Sequence, residues 1–139
     1  MAKARIAILL LVVAALAPVT VGAAVPRPTP VSPKNAARMP VGKTPTFKVR
    51  STGQGTVWVH VSKSAKRGAD GVIGNDAVIV QAHKKGKYYV VKPKFFNYPG
   101  FWANQKKKWY WQAYRIACGE QHKASDCKVE GRVRNFSLR

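Results

Sequence analysis

Acidic residues are scarce in this chain, with 5 Asp and Glu against 25 Lys and Arg among 139 residues and a formal net charge of +20. Two cysteines are too few for a cysteine-rich knottin or a four-cysteine zinc site. The length fits one domain and excludes a large α/β enzyme. Hydrophobic residues make up 46% of the chain, which excludes a disordered basic tail. What remains is one small basic domain whose charge favours an anionic partner.

Motifs for catalysis and cofactor binding are also lacking. The chain has no Gly-x-Ser-x-Gly, no phosphate-binding loop and no His-Glu-x-x-His. His60, His83 and His122 fall at no spacing that would place them together on a metal ion. We therefore predict a protein that is not an enzyme and that holds no cofactor and no metal. The alternative is a small basic secreted hydrolase, nuclease-like, in which His60 or His122 acts with Glu120 or Glu130 as acid and base.

The first 24 residues have the three parts of a secretory signal peptide. A positively charged start is followed by an unbroken apolar run over residues 6–16 and by small residues up to Ala24. Cleavage fits after Ala23 or Ala24, and an uncleaved anchor over residues 6–25 is the alternative. No later stretch is long and apolar enough to cross a membrane. We predict a secreted protein, extracellular or associated with the cell wall, without a transmembrane segment after cleavage.

Residues 25–45 form a proline-rich basic stretch, with six prolines and four Lys or Arg. Proline fixes φ and removes a backbone donor, so this composition favours an extended, solvated chain over helix or sheet. We predict a linker over residues 25–45, with a disordered tail as the alternative. The folded domain is then expected over residues 46–139.

The domain itself has the pattern of an all-β protein. Residues 56–62 alternate strictly, with Val57, Val59 and Val61 on one side of a predicted strand. Six or seven such short strands follow one another between Gly- and Lys-rich turns, and no segment shows helical periodicity. This spacing is typical of a β-sandwich or a small barrel.

The two cysteines, Cys118 and Cys127, flank an eight-residue loop between the last two predicted strands. An exported chain with two cysteines favours a disulfide between them. Such a bridge contributes roughly 2–3 kcal/mol in the chain-entropy account. The alternative is a redox-active pair, but oxidoreductases use a two-residue spacer. We predict a structural bridge.

Residues 109–116, with the sequence Trp-Tyr-Trp-Gln-Ala-Tyr-Arg-Ile, resemble the penultimate strand of bacterial fibronectin type III-like domains. Residues 133–138 resemble their closing strand. Together with Cys118 and residues 126–131, they look like small exported actinobacterial proteins of unassigned function. The resemblance implies an immunoglobulin-like sandwich over about residues 45–139 and carries no catalytic residues. The cysteines and the strong positive charge depart from the usual fibronectin pattern, so its partners do not transfer.

The cations cluster at predicted turns, and turns gather at the ends of a sandwich. The resemblance places Trp109, Trp111 and Ala113 inward, which leaves Tyr110 and Tyr114 as an exposed strip unless a loop covers them. Cations beside aromatic rings are the pattern used to bind polyanions. The candidate polyanion-binding residues are Lys84, Lys85, Lys87, Lys92, Lys94, Lys106, Lys107, Lys108, Arg132 and Arg134, with Tyr110 and Tyr114.

The predicted partner is an anionic extracellular polymer or the cell-envelope surface, because an exported protein does not meet intracellular nucleic acid. The alternative is that the lysines only keep the domain soluble and protect its sheet edges. The sequence leaves the oligomeric state open.

Overall fold

A computed structural model of the protein describes residues 26–74, 77–94, 107–118 and 127–139. These residues form nine β-strands and contain no α-helix. The strands are β1 (Thr29–Ser32), β2 (Ala37–Met39), β3 (Phe47–Arg50), β4 (Thr56–Ser62), β5 (Val78–Lys85), β6 (Tyr88–Val91), β7 (Lys108–Ile116), β8 (Lys128–Glu130) and β9 (Arg134–Leu138). The prediction of an all-β fold is confirmed.

The strands pair into one curled sheet in the order β1-β3-β6-β5-β4-β7-β9-β2, and β8 pairs with β7. Every pairing is antiparallel except that of β2 with β9. Strand β5 joins the two parts of the sheet, because its first residues pair with β4 and its last three pair with β6. We call β1, β3 and β6 the β3–β6 half, and β4, β7, β8, β9 and β2 the β4–β7 half.

The hydrophobic core lies where the two halves face each other. Phe47 of β3 packs edge-on against Trp111 of β7, with ring centroids 5.1 Å apart, and against Phe136 of β9 at 5.9 Å. The three alternating valines of β4 have no solvent exposure, in agreement with their predicted common face. Trp109, Trp111 and Ala113 are also fully buried, which confirms that this set faces inward.

The prediction that residues 25–45 form a linker separate from the domain is wrong for most of the stretch. Residues 29–32 pair with β3 as the edge strand β1, and residues 37–39 pair with β9. Proline is tolerated at a sheet edge because an edge strand leaves part of its N–H groups without a ladder partner. Pro28, Pro30 and Pro33 are accordingly buried as part of the fold.

Gly131 lets the start of the edge strand β1 approach β7. Its N–H donates to the carbonyl of Ala113 at 2.7 Å, and the carbonyl oxygen of Pro28 lies so close that a Cβ would come within 2.5 Å of it. A side chain at this position would push the start of β1 away from β7. The segment between β8 and β9 is therefore fixed by backbone contacts on both sides.

Candidate anion-binding surface

The outer side of the β3–β6 half carries a group of cations. Phe47 and Val49 point into the core, so the alternation of β3 places Lys48 and Arg50 outside, where both are exposed. The register pairs Val49 with Tyr89 of β6, which brings Arg50 next to Tyr88, and it pairs Tyr88 with Lys85 of β5. We call this surface the basic face; its residues are Lys48, Arg50, His83, Lys85, Lys87 and Tyr88.

Tyr88 is the aromatic centre of the basic face. The guanidinium carbon of Arg50 lies 5.8 Å from the Tyr88 ring centroid, and the ammonium of Lys87 lies 5.4 Å from it. Both distances fall within the range of a cation–π contact. Hydrogen bonding to Arg50 lowers the pKa of Tyr88, and the positive charge of Lys87 acts in the same direction. The ring therefore helps to hold two cations side by side on an open surface.

The acidic residues that the structure describes lie on the opposite half of the sheet. Glu130 belongs to β8, which pairs with β7, and Asp70 forms an ion pair with Lys128 at 3.0 Å. The hydrogen bond from Lys128 and a second one from the Val72 N–H lower the pKa of Asp70. Among the described residues, no carboxylate belongs to the basic face. The positive charges of the basic face are therefore not neutralised by a described carboxylate on the same face.

A cleft opens at one end of the basic face, where β3 ends and β5 turns into β6. Its volume is about 440 Å³, and Arg50, Lys84 and Lys87 line it together with the backbone and side chains of residues 51–53. We call it the end cleft. It shares Arg50 and Lys87 with the basic face, so the two form one continuous basic region.

The predicted cations fall in three places rather than at one end. Lys84, Lys85 and Lys87 belong to the basic region just described. Exposed lysines at positions 92, 94, 107 and 108 lie at the opposite end, where β6 ends and β7 begins. Arg132 and Arg134 line a separate cleft of about 330 Å³ with Arg27. Lys106 lies outside the described residues.

Tyr114 lies under a loop, which is the alternative to an exposed strip that the sequence left open. Only 6% of this residue is accessible, because residues 63–74 cover the outer side of β4 and β7. Its hydroxyl pairs with His60 Nε2 at 3.1 Å, and burial raises the pKa of Tyr114 to about 12. Tyr110 is half-buried, with the ammonium of Lys108 5.6 Å from its ring centroid. The two tyrosines therefore do not form an exposed strip.

The same cover encloses the histidine that the hydrolase alternative would use. His60 is 6% exposed and contacts the carbonyl of Ile73 through Nδ1 at 3.4 Å. Its partner Tyr114 is buried as well. Of the other candidates, Glu130 lies on β8 opposite Tyr114 of β7, and His122 and Glu120 lie outside the described residues.

Sequence reasoning missed Lys48, Arg50, His83 and Tyr88 as members of the site. The signal for two of them was present, because Phe47-Lys48-Val49-Arg50 alternates apolar and basic residues. What the sequence does not contain is the pairing of β3 with β6 and of β6 with β5. That pairing alone brings cations from three segments around one tyrosine.

No family model matches the chain, and neither the curated proteins nor the solved structures yield a match. Within the described ranges, no helix is long and apolar enough to cross a membrane. The same residues contain no group of three or more His, Cys, Asp or Glu side chains placed to hold a metal ion. Fold and site together define a small all-β protein with a basic region on one side of its sheet.

The buried His60 predicts a pH dependence of stability. Burial, as the largest cause, lowers the pKa of His60 from its ordinary value of 6.5. The unfolded chain then binds a proton more readily than the folded protein, so stability falls as the pH drops below about 6.5 toward the lowered folded pKa. We expect the melting temperature to fall between pH 7.5 and pH 5, and to fall less in His60→Gln. The exposed His83 supplies the control, since His83→Gln should keep the wild-type slope; equal slopes in all three proteins would contradict the prediction.

Proposed function

We propose that this protein is an exported, non-enzymatic binding module that attaches to anionic polymer outside the cell or in the cell envelope. The observation that carries the proposal is the basic face, where Lys48, Arg50, Lys85 and Lys87 surround Tyr88 while both described acids lie on the other half. A surface of one sign attracts a polyanion and releases its counterions.

The spacing of the cations suits a repeating ligand. Neighbouring strands lie about 4.8 Å apart, so Arg50 on β3 and Lys85 on β5, with β6 between them, stand about 10 Å apart. A polymer with charges along its length can contact both cations at once, whereas a small anion reaches one. Tyr88 between them offers a ring on which an apolar part of the polymer can rest.

We further propose that the fold is a fibronectin type III-like or immunoglobulin-like sandwich. The chain passes from the β3–β6 half to the β4–β7 half between β3 and β4, and again between β6 and β7. Such crossings between two antiparallel layers are the Greek-key connections of these folds. The packing of Phe47 on Trp111 supports two facing layers.

Export is supported by the cysteine pair and by the signal-like first 24 residues. Cys118 and Cys127 form a disulfide, and their Cα atoms are 5.6 Å apart, the usual separation for such a bridge. Disulfides persist in oxidising compartments, which for most organisms means outside the cytosol. Residues 1–25 lie outside the described part of the chain, so cleavage after Ala23 or Ala24 stays a prediction.

The experiment compares two triple variants of equal charge. Lys48→Ala/Lys85→Ala/Lys87→Ala removes the three lysines of the basic face, and the matched control changes the exposed Lys66, Lys92 and Lys107 to alanine. We expect the first variant to bind polyphosphate and polygalacturonate about 10- to 100-fold more weakly than wild type at low salt, because each lysine near an anionic surface contributes about 1 kcal/mol.

The control variant should stay within a few-fold of wild type in the same titration. Equal losses in the two variants would mean that net charge alone drives binding and would remove the basic face as the site. Absence of binding by the wild-type protein to either polymer would overturn the proposed function.

A further inference from the structure

The end cleft concentrates hydrogen-bond donors. Arg50, Lys84 and Lys87 bring one guanidinium and two ammonium groups to its walls, and Ser51 and Thr52 bring two hydroxyls. Among the described residues, none that lines the cleft is acidic. The lining of the cleft is therefore suited to an anion, and it adds hydroxyl donors to the charged ones.

Two side chains in or next to the cleft lining have buried polar atoms without a hydrogen-bond partner among the described residues. One is Ser51, through its hydroxyl, and the other is Arg115, through Nε and Nη1; Arg115 does not line the cleft but lies against Gly53, which does. Arg115 is 2% exposed, and it contacts the protein only weakly through Nη2, 3.5 Å from the carbonyl oxygen of Pro26. A buried guanidinium without a counter-ion is strongly unfavourable, so an anion nearby would offset part of that cost.

Gly53 explains how Arg115 comes to lie against the turn that lines the cleft. The alternation of β7 sends Arg115 to the same side as Trp111 and Ala113, but at the end of the strand this side meets the turn over residues 51–55. A Cβ at Gly53 would collide with Nη1 of Arg115, and the φ of +92° at Gly53 is one that favours glycine. The absence of a side chain at Gly53 lets the buried guanidinium approach this turn.

We propose that the end cleft binds a phosphate group, and that the protein consequently prefers phosphate-bearing polymers to carboxylate polymers. This inference rests on the proposed function and names the class of polymer. A carboxylate has two oxygens in one plane, whereas a phosphate group presents more oxygens in a tetrahedral arrangement. The cleft is lined by one guanidinium, two ammonium groups and two hydroxyls. Together they offer more hydrogen-bond donors than the two oxygens of one carboxylate can accept.

The test uses polyphosphate and polygalacturonate at equal charge concentration, with Ser51→Ala/Lys84→Ala as the cleft variant and Lys92→Ala as a control. Neither position of the cleft variant belongs to the basic face. Wild type should bind polyphosphate about tenfold more tightly than polygalacturonate, because hydrogen bonds to a charged group are the strong ones. The cleft variant should lose that preference while it still binds polygalacturonate within about twofold, and Lys92→Ala should keep the preference.

Inorganic phosphate alone provides a second measurement that needs no polymer. It should raise the melting temperature of wild type more than that of the cleft variant at the same ionic strength, since a ligand stabilises the state that binds it. If free phosphate abolishes the preference for polyphosphate over polygalacturonate, the cleft recognises the phosphate group itself.

Different results would contradict the two proposals. The phosphate proposal would be contradicted if wild type bound both polymers equally and if phosphate raised the melting temperatures of wild type and the cleft variant by the same amount. The basic face would remain the proposed binding site in that case. Absence of binding to both polymers would overturn the proposed function, and the melting measurement would still decide whether the cleft takes phosphate.

Discussion

Replacement of Phe47 by alanine is expected to lower the free energy of unfolding by about 3–5 kcal/mol, the range for truncating a buried aromatic residue. Phe47 has no solvent exposure and lies in β3, yet it packs on the rings of Trp111 and Phe136, which belong to the β4–β7 half. The variant therefore removes the ring that joins the two halves and leaves a cavity between them. Chemical denaturation followed by tryptophan fluorescence measures the effect, since Trp111 contacts the lost ring.

Ile79 is the matched control for this substitution. It is also a large apolar residue in a strand, but 51% of it is exposed. Ile79→Ala should change the stability by no more than about 0.5 kcal/mol, as surface substitutions usually do. A similar loss in both variants would mean that the face-to-face packing of the two halves does not hold the fold together.

Strand positions in the core were predictable because their signal is local. Period-two alternation in β4 depends only on neighbouring residues, and Val57, Val59 and Val61 are all buried as expected. Strand β7 also alternates, but it has bulky residues on both sides, so alternation alone left two possible buried sets. The resemblance indicated Trp109 and Trp111 as the buried one. These positions also carry the largest side chains of the core, which explains why the fold class followed from them.

The proline-rich start was mispredicted because its structure depends on distant partners. Residues 29–32 become a strand only by lying along β3, and residues 37–39 only by lying along β9, near the end of the chain. Local composition favours an extended backbone in this stretch, and that part of the prediction agrees with a strand. An extended segment stays solvated or pairs as a strand depending on whether a sheet edge lies beside it. The residues of the segment itself give no information about that edge.

The exposure of Tyr114 could not be decided from the sequence for a similar reason. Its parity on β7 was assigned correctly, since it lies on the side opposite Trp111 and Ala113. The cover comes from residues 63–74, and the glycines of that segment predicted a loop without indicating where the loop would lie. Gln112 fixes it there, because its side chain accepts from the Ile73 N–H and donates to the Gly131 carbonyl.

Salt should weaken polyphosphate binding by about two orders of magnitude between 50 and 200 mM, if five cations of the basic region contact the polymer. Those five are Lys48, Arg50, Lys84, Lys85 and Lys87. Each contact releases counterions, so the logarithm of the affinity falls linearly with the logarithm of the salt concentration, with a slope of about −0.7 to −0.9 per contact. Titrations at four or more salt concentrations give this slope directly.

The slope separates a defined site from a diffuse charge, which a single affinity cannot do. The Lys48→Ala/Lys85→Ala/Lys87→Ala variant keeps Arg50 and Lys84, so its slope should fall to about −1.5 and its affinity should drop less than tenfold over the same range. The control variant at Lys66, Lys92 and Lys107 loses the same charge from other surfaces and should keep the wild-type slope. Parallel lines for the two variants would show that the polymer samples all cations of the domain equally and that the basic face is not the place where it binds.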